Sequence, residues 1–140
     1  MRGIGIPEIL HWKLDGKLVV PCKSILDWAM FWEWADRQTP SARVVGFTKV
    51  GPIEVSTVFA GIDMNWSGIF SEKPHDNPHV FETMTFGDCP DDGGFTRRYA
   101  TWVDAEKGHA EAVAWAEELV KRAAYSIPDG LRLGTIPDSE

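Results

Sequence analysis

The sequence predicts a single α+β domain over residues 1–140, an antiparallel sheet built from hairpins with two helices packed on one face. Three observations support this class. Strand-like runs come in pairs joined by turn residues, two stretches have helical periodicity, and the strand–helix alternation of a parallel sheet is missing. A chain of 140 residues is long enough to bury a core without disulfides.

The first hairpin is predicted around Asp15–Gly16. His11–Leu14 and Lys17–Val20 are the flanking runs, and Asp-Gly supplies the positive φ angles that a type I′ turn requires. Residues 1–7, punctuated by Gly and Pro, are expected to be an extended terminal segment.

The first helix is predicted from the S-x-x-D pattern of Ser24 and Asp27, which resembles a capping box, to about Arg37. Its surface is unusually aromatic, with Trp28, Phe31, Trp32 and Trp34. An apolar arc this wide is either deeply buried or part of an interface. Trp34, at the side of the main stripe, is a candidate interaction residue.

Two further hairpins are expected. Residues 42–50 and 53–62 are joined at Gly51–Pro52, and residues 79–86 and 95–100 are joined by the turn-rich sequence GDCPDDGG. That acidic turn lacks the ligand spacing of a calcium loop, which predicts an ordinary solvated turn.

The second helix is predicted to be capped by Thr101 and to run to about Ala124. Its stripe of apolar or small residues has the spacing of a face laid on a sheet and comprises Trp102, Ala105, His109, Ala112, Ala116, Leu119, Val120 and Ala123. The alanines permit a close approach to the strands. Residues 125–140 are expected to be a second extended terminal segment.

Three polar residues, Thr57, Glu82 and His109, fall where the pattern expects apolar ones. They form either a polar pocket, in which Glu82 and His109 would be a serviceable acid/base pair, or a buried hydrogen-bond network. Gly108 beside His109 would make room for close strand packing or for a ligand.

The loop between Asp63 and His79 is long and carries large apolar side chains. Loops of this length are usually functional or mobile. Asp63, Trp66 and Phe70 are therefore candidate interaction residues, the two aromatic ones as anchors into a partner.

Charge and motifs exclude several classes of function. With 21 acidic against 14 basic residues the net charge is −7, which disfavours direct nucleic-acid binding. Two distant cysteines without CxxC and a single Glu-x-x-His at Glu106–His109 predict neither a disulfide nor a metal site. No phosphate loop or nucleophile motif occurs, so no cofactor and no catalytic residue are predicted. The sequence shows no signal peptide or membrane span, so a cytoplasmic protein is expected. It allows either a monomer or a homo-oligomer.

The chain resembles a family of small proteins without an established activity that phage and prophage genomes encode. The similarity lies in LDG at Leu14–Gly16, WAMFWEWADR at Trp28–Arg37, VSTVFAGID at Val55–Asp63, FETMTFG at Phe81–Gly87 and YATWVDAEKGH at Tyr99–His109. The resemblance implies a cytosolic protein of an infected bacterium that acts by binding, as a modulator or inhibitor of host machinery, antiviral defence included.

The leading functional expectation is thus a binding protein, rather than an enzyme, that acts on a host or phage protein. The alternatives are a small-molecule or nucleotide-binding module, or a small acid/base enzyme, that uses Thr57, Glu82 and His109. A minor virion component is a further alternative.

Overall fold

The structure, a computed structural model, describes residues 11–64, 78–87 and 94–126. The expected extended segment 1–7, nearly all of segment 125–140, and Trp66 and Phe70 lie outside the described residues. Among the described residues are two antiparallel sheets, of two and four strands, and two helices. The α+β class predicted from the sequence is confirmed.

The first hairpin consists of β1 (Trp12–Asp15) and β2 (Leu18–Pro21). Asp15 pairs with Leu18, so the two turn residues are Gly16 and Lys17, one position later than predicted. Gly16 has a φ of 65°, whereas no described residue other than glycine has a positive φ. This combination fits a type II′ turn, which needs glycine at its first central position only, rather than type I′.

Helix α1 (Ile25–Asp36) begins as its sequence predicts. The Ser24 hydroxyl accepts the backbone N–H of Asp27 at 3.1 Å, which satisfies one of the free donors of the first turn. At its other end, the helix is tied to the following strand by Arg43. The Arg43 guanidinium lies 3.7 Å from the ring centroid of Trp32 and pairs with Asp36 at 3.1 Å.

Four strands form the main sheet, in the order β3 (Val44–Val50), β4 (Ile53–Phe59), β5 (Phe81–Gly87) and β6 (Thr96–Tyr99). Every neighbouring pair is antiparallel. In β4, each alternate side chain is fully buried, from Ile53 to Phe59. This period of two identifies the covered face of the sheet.

Helix α2 (Trp102–Ser126) lies across that face and contacts all four strands. The Thr101 hydroxyl caps it by accepting the Asp104 N–H at 3.1 Å. Ala105, Ala112 and Ala116 are fully buried against the sheet. The helix continues to Ser126, two residues beyond the predicted end at Ala124.

Helix α1 and the hairpin pack on the same face as α2. The Phe31 ring meets Phe59 edge-on, with centroids 5.9 Å apart, and Phe59 meets Phe81 at 5.1 Å. Trp12 and Leu14 of the hairpin join this core. Burying each such large side chain stabilises the fold by about 1.5–3 kcal/mol. Both helices therefore cover one face of the sheet, as predicted.

Gly108 allows α2 to approach the sheet closely. A Cβ at this position would overlap the ring and hydroxyl of Tyr99 on β6. Among the described residues, the buried Tyr99 hydroxyl has no hydrogen-bond partner. The sequence suggested that Gly108 makes room either for close strand packing or for a ligand. In the structure it permits close packing of α2 on β6.

Candidate functional site

Thr57 and His109, two of the three residues expected to converge, are in direct contact. The Thr57 hydroxyl lies 2.7 Å from Nδ1 of His109 and 2.6 Å from the hydroxyl of Thr83 on β5. The Thr48 hydroxyl on β3 lies 2.9 Å from Nε2 of the same imidazole. Threonines from two adjacent strands thus bond to one histidine of α2, and a threonine from the third strand bonds to Thr57. Thr48, Thr57, Thr83 and His109 are called the Thr–His network below.

Gly46 makes space for the imidazole. A Cβ on Gly46 would lie 2.9 Å from both Cδ2 and Nε2 of His109, closer than side chains normally pack. The pairing of β3 with β4 also shifts register between Val44 and Gly46, as a β-bulge does. The imidazole of His109 therefore packs directly against the backbone of β3, where no side chain intervenes.

The network satisfies its own hydrogen bonds. Each ring nitrogen of His109 has a hydroxyl partner, and a hydroxyl either donates or accepts. Burial lowers the pKa of His109 from its ordinary value of 6.5, because a low-dielectric environment disfavours the charged ring. At neutral pH the imidazole is uncharged, and the hydroxyls can match either tautomer. Such a closed arrangement is what a buried hydrogen-bond network requires.

Glu82, the third residue expected in this pocket, lies elsewhere. It alternates in β5 with Phe81 and Thr83, which are fully buried on the α2 side, so its own side chain leaves the opposite face. There its Oε2 pairs with Nε of Arg98 at 3.1 Å. Glu82 and His109 therefore do not share a site. Both faces of this strand are partly apolar, which is why the sequence pattern left its orientation open.

The consequence for catalysis is direct. No carboxylate of the described part of the chain pairs with His109, and its two nitrogens already bond to threonine hydroxyls. The acid/base pair that a small enzyme would use is therefore absent from this part of the described structure.

The candidate interaction residues have different environments. Trp34 on α1 is 54% exposed. The carboxylate of Asp63 accepts the backbone N–H of His79 at 2.9 Å, which fastens the two ends of the intervening loop. The Met64 N–H donates to the carbonyl of His79 at 2.9 Å in the same place. Asp63 thus has a structural role at the base of the loop, and Trp66 and Phe70 lie outside the described residues.

The concave feature near Trp34 is a groove of about 430 Å³, called the α1 groove. One wall comes from the helix and comprises Asp27, Met30, Phe31 and Trp34. The other wall comes from the hairpin and comprises Lys13, Leu14, Asp15 and Val20. Its volume is within the range of known ligand pockets. Unlike the Thr–His network, it opens to solvent between two elements that bear exposed apolar side chains.

The rim of the groove is electrostatically organised. Nζ of Lys13 donates to Oδ1 of Asp27 at 2.9 Å, and this hydrogen bond raises the pKa of Lys13. The pKa of Asp27 is lowered, first by the backbone N–H of Lys23 and then by Lys13. The pair joins the hairpin to the first turn of α1. Asp15 also lies at the rim and forms no ion pair with a described residue.

The exposed apolar surface of α1 extends beyond the groove. Leu26, Met30 and Trp34, at successive helical turns, are 65%, 60% and 54% exposed. Sequence reasoning singled out Trp34 but missed Met30 and the contribution of the hairpin. The available signal was the near-complete apolar circumference of this helix, which exceeds what one buried face requires.

A second apolar surface lies on the uncovered face of the main sheet, called the open sheet face. Phe47, Met84 and Phe86 are 56%, 38% and 48% exposed there. The ion pairs Glu82–Arg98 and Lys49–Glu54 lie on the same face. Opposite charges thus accompany the apolar residues on this face.

The described residues, 11–64, 78–87 and 94–126, contain neither a metal-binding cluster nor a membrane-spanning helix. No group of three or more His, Cys, Asp or Glu side chains is arranged to hold a metal ion within these ranges. Neither α1 nor α2 is both long and apolar enough to span a bilayer. Comparison with models of protein families, with curated proteins and with solved structures gave no match.

Proposed function

We propose that this protein acts by binding another protein, and that the α1 groove is its docking surface. The observation that carries the proposal is the exposure of Trp34 and Met30, 54% and 60%, at the edge of a groove whose floor is apolar. Exposed Trp and Met beside a preformed concavity are typical of binding hot spots, because they remove much apolar area from water on contact.

The groove is better suited to binding than the other candidate region. Within the Thr–His network, Thr57 and Thr83 are fully buried and hydrogen-bonded, so a ligand would have to displace existing bonds. A partner bound in the α1 groove would instead contact exposed apolar groups and would displace no such hydrogen bonds. This difference favours a protein-binding role over a small-molecule, nucleotide-binding or acid/base function at Thr57 and His109.

The resemblance to phage- and prophage-encoded proteins supports a partner from the bacterial host or the phage. In this proposal the protein works in the host cytoplasm as a modulator or inhibitor, with components of antiviral defence among the candidate partners. Among the described residues no carboxylate pairs with His109, which is consistent with activity by occupancy rather than by catalysis.

The test compares three tagged proteins as baits in lysate of the bacterium that carries the gene. They are the unmodified chain, Trp34→Ala, and Phe47→Ala as the matched control, because Phe47 is similarly exposed on the open sheet face. Bound proteins are quantified by mass spectrometry, and the affinity for each specific partner is then measured by calorimetry. We expect Trp34→Ala to weaken binding by about 30-fold or more, the size of a tryptophan hot spot.

Thermal unfolding of both variants provides the necessary control, since both side chains are exposed and their loss should change stability little. Partners retained by Trp34→Ala and lost by Phe47→Ala would contradict the proposal and assign binding to the open sheet face.

A further inference from the structure

We infer that the α1 groove takes a cationic segment of its partner, in which a large apolar side chain is flanked by Lys or Arg. This inference rests on the proposed docking function and specifies the chemistry of the occupant. Two properties of the groove, its apolar floor and the excess of carboxylates among the residues that line it, lead to it.

The floor defines the apolar part of the occupant. Leu14 and Phe31 are 9% and 8% exposed and form its base, while Met30 and Trp34 stand at the edge with more than half of their surface exposed. A large aliphatic or aromatic side chain inserted between them would cover surface that the fold itself leaves in water. The thioether of Met30 adapts to differently shaped side chains, because it is unbranched and polarisable.

The rim defines the charge of the occupant. Lys13 pairs with Asp27 at 2.9 Å, so the positive charge of its ammonium is offset by that carboxylate. Asp15 also contributes to the raised pKa of Lys13, which places its negative charge close to that ammonium. Among the residues that line the groove, one cation therefore faces two carboxylates, and this lining is net negative. Lys23, outside the lining, adds a positive charge on the Asp27 side, so Asp15 is the carboxylate left for an incoming cation.

The charge of the whole molecule is also negative. The whole chain has a net charge of −7, so an anionic segment would be repelled during approach as well as at the groove. A cationic segment would be attracted, and its Lys or Arg could pair with Asp15 while leaving Lys13 and Asp27 joined. Such steering acts over about 8–10 Å at physiological salt, so its effect falls as salt is added.

The inference can be tested with three synthetic peptides that share a Leu-Trp centre and differ in their flanks: KRLWRK, SSLWSS and EDLWDE. Each is titrated into the full-length protein labelled with ¹⁵N, and backbone amide shifts are followed by NMR. We expect KRLWRK to shift amides of Lys13–Val20 and Asp27–Trp34 and to bind at least fivefold more tightly than SSLWSS, the scale of a favourable exposed ion pair. EDLWDE should bind more weakly than SSLWSS.

Two charge-reversal variants localise the effect. Asp15→Lys should remove most of the preference for KRLWRK, whereas Glu117→Lys, on the exposed side of α2, changes the net charge equally and should leave affinity within about twofold. Raising the salt to 0.5 M should reduce the preference in the unmodified protein.

The outcomes separate the two claims. Equal binding of KRLWRK and SSLWSS, or tighter binding of EDLWDE, overturns the charge inference even if Trp34→Ala still releases the captured partner. Equal losses from Asp15→Lys and Glu117→Lys overturn the assignment to the groove rim. If Trp34→Ala releases no partner, the docking function itself fails, whichever peptide binds.

Discussion

The two helices use their apolar residues differently. Helix α2 buries Ala105, Ala112 and Ala116 completely, and Val103 is the large apolar side chain of this helix that stays exposed within the described structure. Helix α1 is half as long, yet Ile25, Leu26, Met30 and Trp34 are each more than half exposed. The apolar residues of α2 match the surface of the sheet, whereas α1 has more of them than its packing requires. This excess makes α1, rather than α2, the helix suited to contact a partner.

The largest difference between the two helices is expected when one alanine on each helix is replaced by leucine. Ala112→Leu should lower the free energy of unfolding by about 3 kcal/mol, because the added atoms have no space against Ile53 and Val55. Ala29→Leu on the exposed side of α1 should change it by less than about 0.5 kcal/mol. Urea unfolding of both variants measures the difference. Equal losses would show that the two helices are packed alike.

A second prediction concerns the close contact of α2 with β6. Gly108→Ala should destabilise the protein by about 2 kcal/mol, although the same change in an exposed helix stabilises it by up to about 1 kcal/mol. The reason is the overlap of the new methyl group with the Tyr99 ring. In a Tyr99→Leu background the substitution should become neutral or stabilising. A double-mutant cycle by chemical denaturation measures this coupling, and strict additivity would argue against the contact.

The smallest effect is expected from the one polar residue in the buried stripe of α2. Burial lowers the pKa of His109 in the folded state, while the unfolded chain retains about 6.5. The unfolded state therefore binds a proton first as pH falls, and the stability present above pH 6.5 is progressively lost below it.

This pH dependence can be measured as the difference between the unmodified protein and His109→Gln in unfolding experiments from pH 7.5 to 5. The pKa values of the Asp27 and Asp36 carboxyl groups are also lowered, from 3.8, by a backbone N–H and by Ser41 respectively. Their contribution is lost at more acidic pH and is common to both proteins. A difference that stays constant across the range would contradict the prediction for His109.

The elements of this fold were predictable because their signals are local. Ser24 and Thr101 cap the helices within four residues of chain, and the alternation in β4 specifies a buried face by itself. The turn at Gly16 shows the limit of that information. Its position was off by one residue, because the sequence allows more than one choice of central pair.

The candidate sites depended on contacts between distant residues and were predicted less well. The orientation of Glu82 is decided by which face α2 covers, and the pattern of β5 alone does not contain that choice. The α1 groove requires Lys13 and Asp27 to meet across 14 positions of chain. Only the excess of aromatic residues on the first helix hinted at it in advance.

The Thr–His network also bears on how the chain avoids misaligned sheets. A shift of β4 by a single position would turn Thr57 away from α2, and in one of the two directions it would bring Val58 against the imidazole. Nδ1 of His109 would then be buried without a hydrogen-bond partner, which costs free energy. A shift between two strands that carry only apolar side chains has no such cost. The bulge at Gly46 adds a steric condition, because only a residue without Cβ leaves room for the ring. One histidine thus penalises alternative strand alignments across three strands at once.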